Sequence, residues 1–355
     1  MAVQHCNPYS ASLARPDLTR QFVADIRGRF RPIRGRVRHF ATQADGFDLR
    51  ETAETAALAD GDEPEDWPDP PESVREAATP SAKAAAFAQW LRRVLRERVL
   101  NPVQRNVIQR LERARPGRRL AVLESWDHWT KPYVLGSYRS GWETAGARLR
   151  TEGVPVTETA IGSGATGAAA FAGSTAALLS LQLLYADTYR ALEQIAQDAA
   201  AERVRETITK TIADGRSPQT LANRLTRDIR TLQHKRAEVV GTDIPTRGQS
   251  DAHLDRFGDA GIQVVHHGDW TTEKDNNVCP FCRRVGGETF TLDELRATLV
   301  QWRGQVYRLN PPAHPRGRCE IRPRVVVAKP FAPLSERVPG TVVTTSADRR
   351  RSPPS

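Results

Sequence analysis

The stretch "DNNVCPFCRRVGG", Asp275 to Gly287, is followed some thirty residues later by "NPPAHPRGRCEIRP", Asn310 to Pro323. Three of the chain's four cysteines, Cys279, Cys282 and Cys319, fall in these two pieces, and His314 stands beside the last of them. Cys279 and Cys282 are separated by two residues, a spacing that lets two thiolates face one point about 2.3 Å from a zinc ion. His314 and Cys319 have four residues between them, on a turn stiffened by Pro311, Pro312 and Pro315. Together they make a Cys₃His set, complete for a closed tetrahedral site. Two other readings stand beside zinc: thiols that are reduced and simply buried, and a Cys279–Cys282 redox pair. A small module poor in apolar mass is the kind that a structural metal stabilises.

Outward from these pieces, residues 241–330 read as a small α+β module. "TRGQSDAHLDRFGDAG" predicts a short helix stopped by Gly261. "IQVVHHGDW" alternates like a strand, with Ile262, Val264 and His266 on one face. "GGETFTLDELRATL" predicts a turn, a short strand and a helix N-capped by Asp293. "CEIRPRVVVA" predicts the last strand, and from Phe331 to the end, residues 331–355, the Pro/Ser/Thr-rich tail predicts disorder.

Upstream, residues 81–240 read as a helical domain. A long helix is predicted from about Ala176 to Ala213. Gly215 then serves as its C-cap, Ser217 as the next N-cap and Pro218 as the first helical residue, leading into Leu221, Leu225, Ile229 and Leu232. Pro102, Pro116 and Pro132 predict breaks between shorter helices. Trp126, Trp129, Tyr133, Tyr138 and Trp142 lie among basic residues; they suit either base stacking on single strands or core packing. Residues 58–80 are acidic and Pro-rich and predict a linker. Residues 1–57 predict a basic helical region in which Leu18, Phe22, Ile26, Phe30, Ile33 and Val37 share one face and Pro32 introduces a kink. The predicted fold is therefore mostly α: a long-helix bundle followed by a Cys/His-containing β-rich domain.

The 355 residues carry 52 Lys+Arg against 42 Asp+Glu, a net charge of +10. Such a balance favours polyanions. The residues expected to touch double-stranded DNA without sequence preference are Arg27, Arg29, Arg34, Arg36, Arg92, Arg93, Arg118 and Arg119. The N-terminus shows no apolar signal segment, and four cysteines with Cys6 isolated do not suggest a disulfide framework. The uncharged run from Thr159 to Ala186 is long enough to span a bilayer, but its first half is Gly, Ala, Ser and Thr, so it predicts a linker and a buried helix rather than a membrane span.

The cysteine pieces also carry a resemblance. Trp270, Asp275, Cys279, Pro280, Cys282, Pro311, Pro312, His314, Pro315, Arg318 and Cys319 resemble the C-terminal signature of the bacteriophage minor head, or head-morphogenesis, family of the Mu F-like type. "TKTIADGRSPQTLANRL" is similar to that family's helix–G-x-SP–helix segment. Gly317 stands where the family has the first cysteine of its Cys-Arg-Cys, so Cys319 is the fourth ligand if zinc binds. The resemblance implies a structural protein of a tailed virus or prophage, made in the host cytoplasm and carried in the virion head. Its implied partners are portal and capsid proteins, and its implied work is capsid assembly near the portal with contact to packaged DNA. The chain shows no G-x-S-x-G, no GxxxxGK[ST] and no HExxH. Asp251, His253 and Asp255 form a D-x-H-x-D cluster whose members, two apart on a helix, point in different directions. A prophage-borne nuclease or toxin-like enzyme is the alternative function; no catalytic motif carries it.

Overall fold

The fold is that of a computed structural model, which describes residues 16–49, 68, 70–100, 110, 113–114, 118, 122, 128–156, 174–199, 202–267, 280–311, 313, 321–324 and 333–344. The chain is mostly helical with a small β-containing C-terminal region. Helices are α1 (Pro16–Thr42), α2 (Ser73–Glu76), α3 (Pro80–Leu95) with a π-helical turn after it (Arg96–Leu100), α4 (Lys131–Thr151), α5 (Thr175–Ala199), α6 (Glu202–Ala213) and α7 (Pro218–Asp259). The C-terminal region adds β1 (Val264–His267), α8 (Pro280–Val285), β2 (Thr289–Thr291), α9 (Leu292–Ala297), β3 (Leu299–Trp302), β4 (Gln305–Arg308), β5 (Ile321–Pro323), α10 (Leu334–Arg337) and β6 (Thr341–Thr344). Among the described residues, no helix is long and apolar enough to cross a membrane.

The chain forms two compact units. One comprises residues 1–20, 107–186 and 241–355, the other residues 21–106 and 187–240. In the second unit, Phe22, Ile26, Phe30, Ile33 and Val37 of α1 are fully or nearly fully buried, as their three-and-four spacing predicts. Pro32 sits inside α1 without ending it. Phe40, Phe47, Phe87 and Trp90 make an aromatic cluster with successive ring centroids 5.2–6.0 Å apart. Helix α3 begins with Thr79, whose hydroxyl accepts from the Ala82 amide at 3.2 Å, with Pro80 in the first turn. The α6–α7 corner follows the sequence closely. Gly215 is left-handed (φ 61°), and the amides of Gly215 and Arg216 donate to the carbonyls of Ile212 and Thr211. Ser217 then caps α7 by accepting from the Thr220 amide at 3.3 Å.

Helix α7 differs from expectation. The separate short helix predicted around residues 246–259 is the second half of one 42-residue helix that runs through Pro245. Gly261 (φ 78°) does stop it, with the Ile262 amide donating to Phe257 O at 2.8 Å.

In the first unit two antiparallel sheets of three strands each follow, in the orders β2-β1-β5 and β4-β3-β6. Val265 is the fully buried residue of β1, whereas Val264 and His266, which alternate with it, are half-buried, so the face of Val265 is the one turned to the core. The cap of α9 is Thr291, not Asp293. Its hydroxyl accepts from the Glu294 amide at 3.1 Å while the Glu294 carboxylate accepts from the Thr291 amide at 2.8 Å, a complete capping box. The last strand is β6 rather than β5. Residues 333–344, expected to lack structure, supply α10 and a strand whose Val342 pairs with Val300 of β3. The β-branched run Thr341–Thr344 suits that place. The core of this region joins Ala145 and Leu149 of α4 and Leu254 and Phe257 of α7 to Val265, Phe281, Phe290, Val300 and Ile321.

Candidate functional site

Two places in the molecule concentrate polar chemistry, and each lies within one unit. The first is where α4 and α7 cross in the first unit. Their backbones approach closely because both carry glycine at the crossing. A Cβ at Gly141 would overlap the Gln249 carbonyl, and one at Gly248 would lie 2.5 Å from Ser137 Oγ and 2.9 Å from Leu184 Cδ2. Beside that crossing a buried network forms. Tyr138 Oη donates to Asp255 Oδ2 at 2.8 Å, and Arg296 Nη2 donates to Asp255 Oδ1 at 2.9 Å and to Leu254 O at 3.1 Å. Ser180 also hydrogen-bonds the Asp255 carboxyl. Burial raises the Asp255 pKa despite these donors, and burial together with the Asp255 charge pushes the Tyr138 hydroxyl well above its usual range.

One turn earlier on α7, Asn310 Nδ2 donates to Asp251 Oδ1 at 2.7 Å and Ser250 Oγ donates to Asn310 Oδ1 at 2.9 Å. His253, between the two acids, is completely buried and neither ring nitrogen has a hydrogen-bond partner. Burial, then the nearby Arg148 charge, lowers its pKa to about 3, so it is neutral at ordinary pH. Asp251, His253 and Asp255 therefore diverge to separate partners and surroundings, as the helix period requires. Tyr138 and Trp142 are buried, with the Arg256 guanidinium 4.9 Å from the Trp142 ring centre, so these aromatics belong to packing and not to a stacking surface.

Several arginines of this unit act as internal pegs. Arg148 Nη1 donates to Ile321 O at 2.9 Å, and Arg337 Nη1 donates to Thr289 O at 2.6 Å while its other arm reaches Glu294. Sequence reading did not single these out, because each partner is tens to hundreds of residues away.

Of the four proposed zinc ligands, Cys282 is described. It lies in α8, fully buried between Phe281 and Val285, and is not in a disulfide. Cys279, His314 and Cys319 lie outside the described residues. The carbonyl of Ala313, which precedes His314, accepts from the Arg308 amide at 2.9 Å, and Ile321 pairs with His267 of β1. Among the described residues no three His, Cys, Asp or Glu side chains come together as a metal site. Three thiols and an imidazole suit zinc chemically, and a buried Cys282 suits a structural rather than an open catalytic site.

The second place is in the other unit, where α1 lies antiparallel to the first half of α7. Arg27 Nη2 bonds Glu238 Oε1 at 2.7 Å, Gln233 Nε2 donates to Phe30 O at 3.4 Å, and Arg38 Nη2 donates to Asn223 Oδ1 at 3.3 Å. Of the arginines expected to contact DNA, Arg27 and Arg34 share this stripe. Arg29 and Arg36, two residues further along the helix, fall on the other side of it. Arg92 and Arg93 are exposed on α3, Arg118 is exposed, and Arg119 lies outside the described residues.

No curated protein and no solved structure matches the chain. A family model does: residues 202–322, from the start of α6 to β5, match the one described as Phage Mu protein F like protein. That span holds the Gly215–Ser217–Pro218 corner, the Gly261 stop and both cysteine-bearing pieces, the same features on which the resemblance rested. Through residues 202–322, about a third of its length, the chain is similar to the Phage Mu protein F like family.

Proposed function

We propose that this protein is a structural minor head component of a tailed virus or prophage, acting in head morphogenesis near the portal. The observation that carries this reading is the family match over residues 202–322. The net charge of +10 supports a second task, contact with packaged DNA through phosphates. The polar network of the first unit is compatible with a scaffold role: each carboxylate named there is held by a hydrogen-bond donor of the fold. Portal and capsid proteins are the proposed partners, the host cytoplasm the place of assembly, and the virion head the final location.

The same reading gives Cys279, Cys282, His314 and Cys319 a structural role. They would hold one zinc ion that links the start of α8 to the segment before β5, and the ion would supply folding energy rather than chemistry. The experiment for the main reading is disruption of the gene in the producing virus, with particles inspected by electron microscopy. Aberrant or reduced heads, restored by the gene in trans, are expected. Heads normal in number, form and infectivity would overturn the head-morphogenesis role.

A further inference from the structure

The antiparallel stripe of α1 and α7 in the second unit carries more charge than its neutral partners explain. On α1, Arg27, Arg31, Arg34 and Arg38 recur at steps of four, three and four and so share one face. On α7, Asn223, Arg227, Arg230, His234 and Glu238 recur in the same way. Three hydrogen-bonded rungs, Arg27–Glu238, Phe30–Gln233 and Arg38–Asn223, bring these faces into register. At one end of the seam Arg27 meets the Glu238 carboxylate, and at the other Arg38 meets the neutral Asn223 amide. Between them stand Arg31, Arg34, Arg227, Arg230 and His234.

We infer that this seam is a phosphate track for nucleic acid, with Arg31, Arg34 and Arg230 as its direct contacts and Arg227 and His234 flanking them. The inference rests on the DNA contact proposed above and gives it an address. Arg34 is half-buried, and its Nε–H is buried with no hydrogen-bond partner, so it lacks an acceptor. Burial, then the Arg230 and Arg31 charges, lower the pKa of Arg34; burial, then Arg27, Arg230 and Arg34, lower that of His234, with Glu238 opposing. Like charges held this close are stabilised when an oxyanion enters among them, and the guanidinium fork fits a phosphate with two parallel hydrogen bonds.

Nucleic acid is favoured over an acidic protein or a lipid surface because the positions between the ends of the seam carry Arg31, Arg34, Arg227, Arg230 and His234 and no carboxylate. Among the described residues the exposed large hydrophobics are Leu179, Leu183 and Val306, and none belongs to it. Protein interfaces need an apolar centre and membrane-bound helices an apolar face, whereas binding to a phosphate backbone needs charge alone. From Arg31 to Arg38 the stripe runs about 10 Å along the helix, room for two or three successive phosphates.

The test uses the purified full chain and a labelled duplex of arbitrary sequence, with binding measured by fluorescence anisotropy across a salt series. The variant Arg31→Gln/Arg34→Gln/Arg230→Gln is compared with a charge-matched control on other exposed surfaces, Arg139→Gln/Arg205→Gln/Arg216→Gln. Should the triple variant lose its fold by circular dichroism, the exposed pair Arg31→Gln/Arg230→Gln replaces it. The seam variant should lower the log–log salt slope by about 2.7, or about 1.8 for the pair, and weaken low-salt binding at least tenfold, with a much smaller effect in the control. Equal losses in both, or loss in the control alone, would overturn the seam while leaving DNA contact in place. Binding of poly-glutamate or of anionic phospholipid vesicles as strong as that of the duplex would overturn the nucleic-acid assignment. No binding at low salt would remove both DNA readings and leave the head role to its own test.

Discussion

His253 gives the molecule a built-in sensitivity to acid whose size follows from its burial. Its folded pKa is about 3 against an ordinary 6.5, because the ring is fully buried and Arg148 lies near. The folded state therefore binds fewer protons than the unfolded state between these values, and stability falls as pH drops below 6.5. Between pH 7.5 and pH 5.0 the unfolded imidazole takes up nearly a full proton and the folded one almost none. The loss is about 1.4 kcal/mol for each of the 1.5 pH units below 6.5, or about 2 kcal/mol. Asp255, with its raised pKa, has the opposite sign, destabilising the fold as pH rises from its ordinary value near 3.8. Its effect, with that of Tyr138, cancels when wild type is compared with His253→Phe, a variant that keeps a ring beside Phe257, whose centre is 5.9 Å away. Urea unfolding by circular dichroism at both pH values should show wild type losing about 2 kcal/mol more than the variant on acidification. Parallel losses within about 0.5 kcal/mol, or an NMR titration of His253 in the folded protein centred near pH 6.5, would refute the reasoning.

Other consequences are simpler to state. Gly141→Ala should destabilise the first unit by about 1–3 kcal/mol in a urea melt, since its Cβ meets the Gln249 backbone, whereas Gly28→Ala on α1, with open space around it, should stabilise by about 0.5–1 kcal/mol. Thr291→Ala removes one side of the α9 capping box and should cost about 1 kcal/mol, read as a lowered melting midpoint, with Thr291→Ser close to wild type. Elemental analysis of the purified chain should find about one zinc per molecule, lost in Cys282→Ser together with protease resistance of the C-terminal region. Metal-free wild type with unchanged resistance would make these cysteines packing residues.

Local signals were legible in the sequence where one or two residues decide the outcome. Gly215, Ser217 and Pro218 set the α6–α7 corner, and Gly261 ends α7, because a left-handed residue or a capping hydroxyl acts within one turn. The stripe of α1 was equally readable from its period. The short helix expected over residues 246–261 is instead continuous with the helix before it, because tertiary burial overrode propensity: Val240 and Ile244 are buried and Thr246 Oγ1 donates back to Thr242 O at 2.8 Å. The β3–β4 hairpin escaped notice because its turn is Arg303-Gly304, both at positive φ, without the Asn-Gly or Asp-Gly pair that usually announces it. The buried network was illegible for a different reason. Tyr138 and Asp255 are 117 residues apart, and the charge seam joins residues of α1 to residues some two hundred positions later. Pairings at such separations are set by the fold, not by any local pattern.

The most direct test of the proposed place in the head is quantitative mass spectrometry of purified, nuclease-treated heads of the producing virus, separated from tails and soluble proteins. The chain should be found in the heads in a fixed, low ratio to the major capsid protein, and it should stay with them through a salt wash that removes loosely held proteins. Its absence from purified heads, with abundant chain in the soluble fraction of the same lysate, would contradict the account.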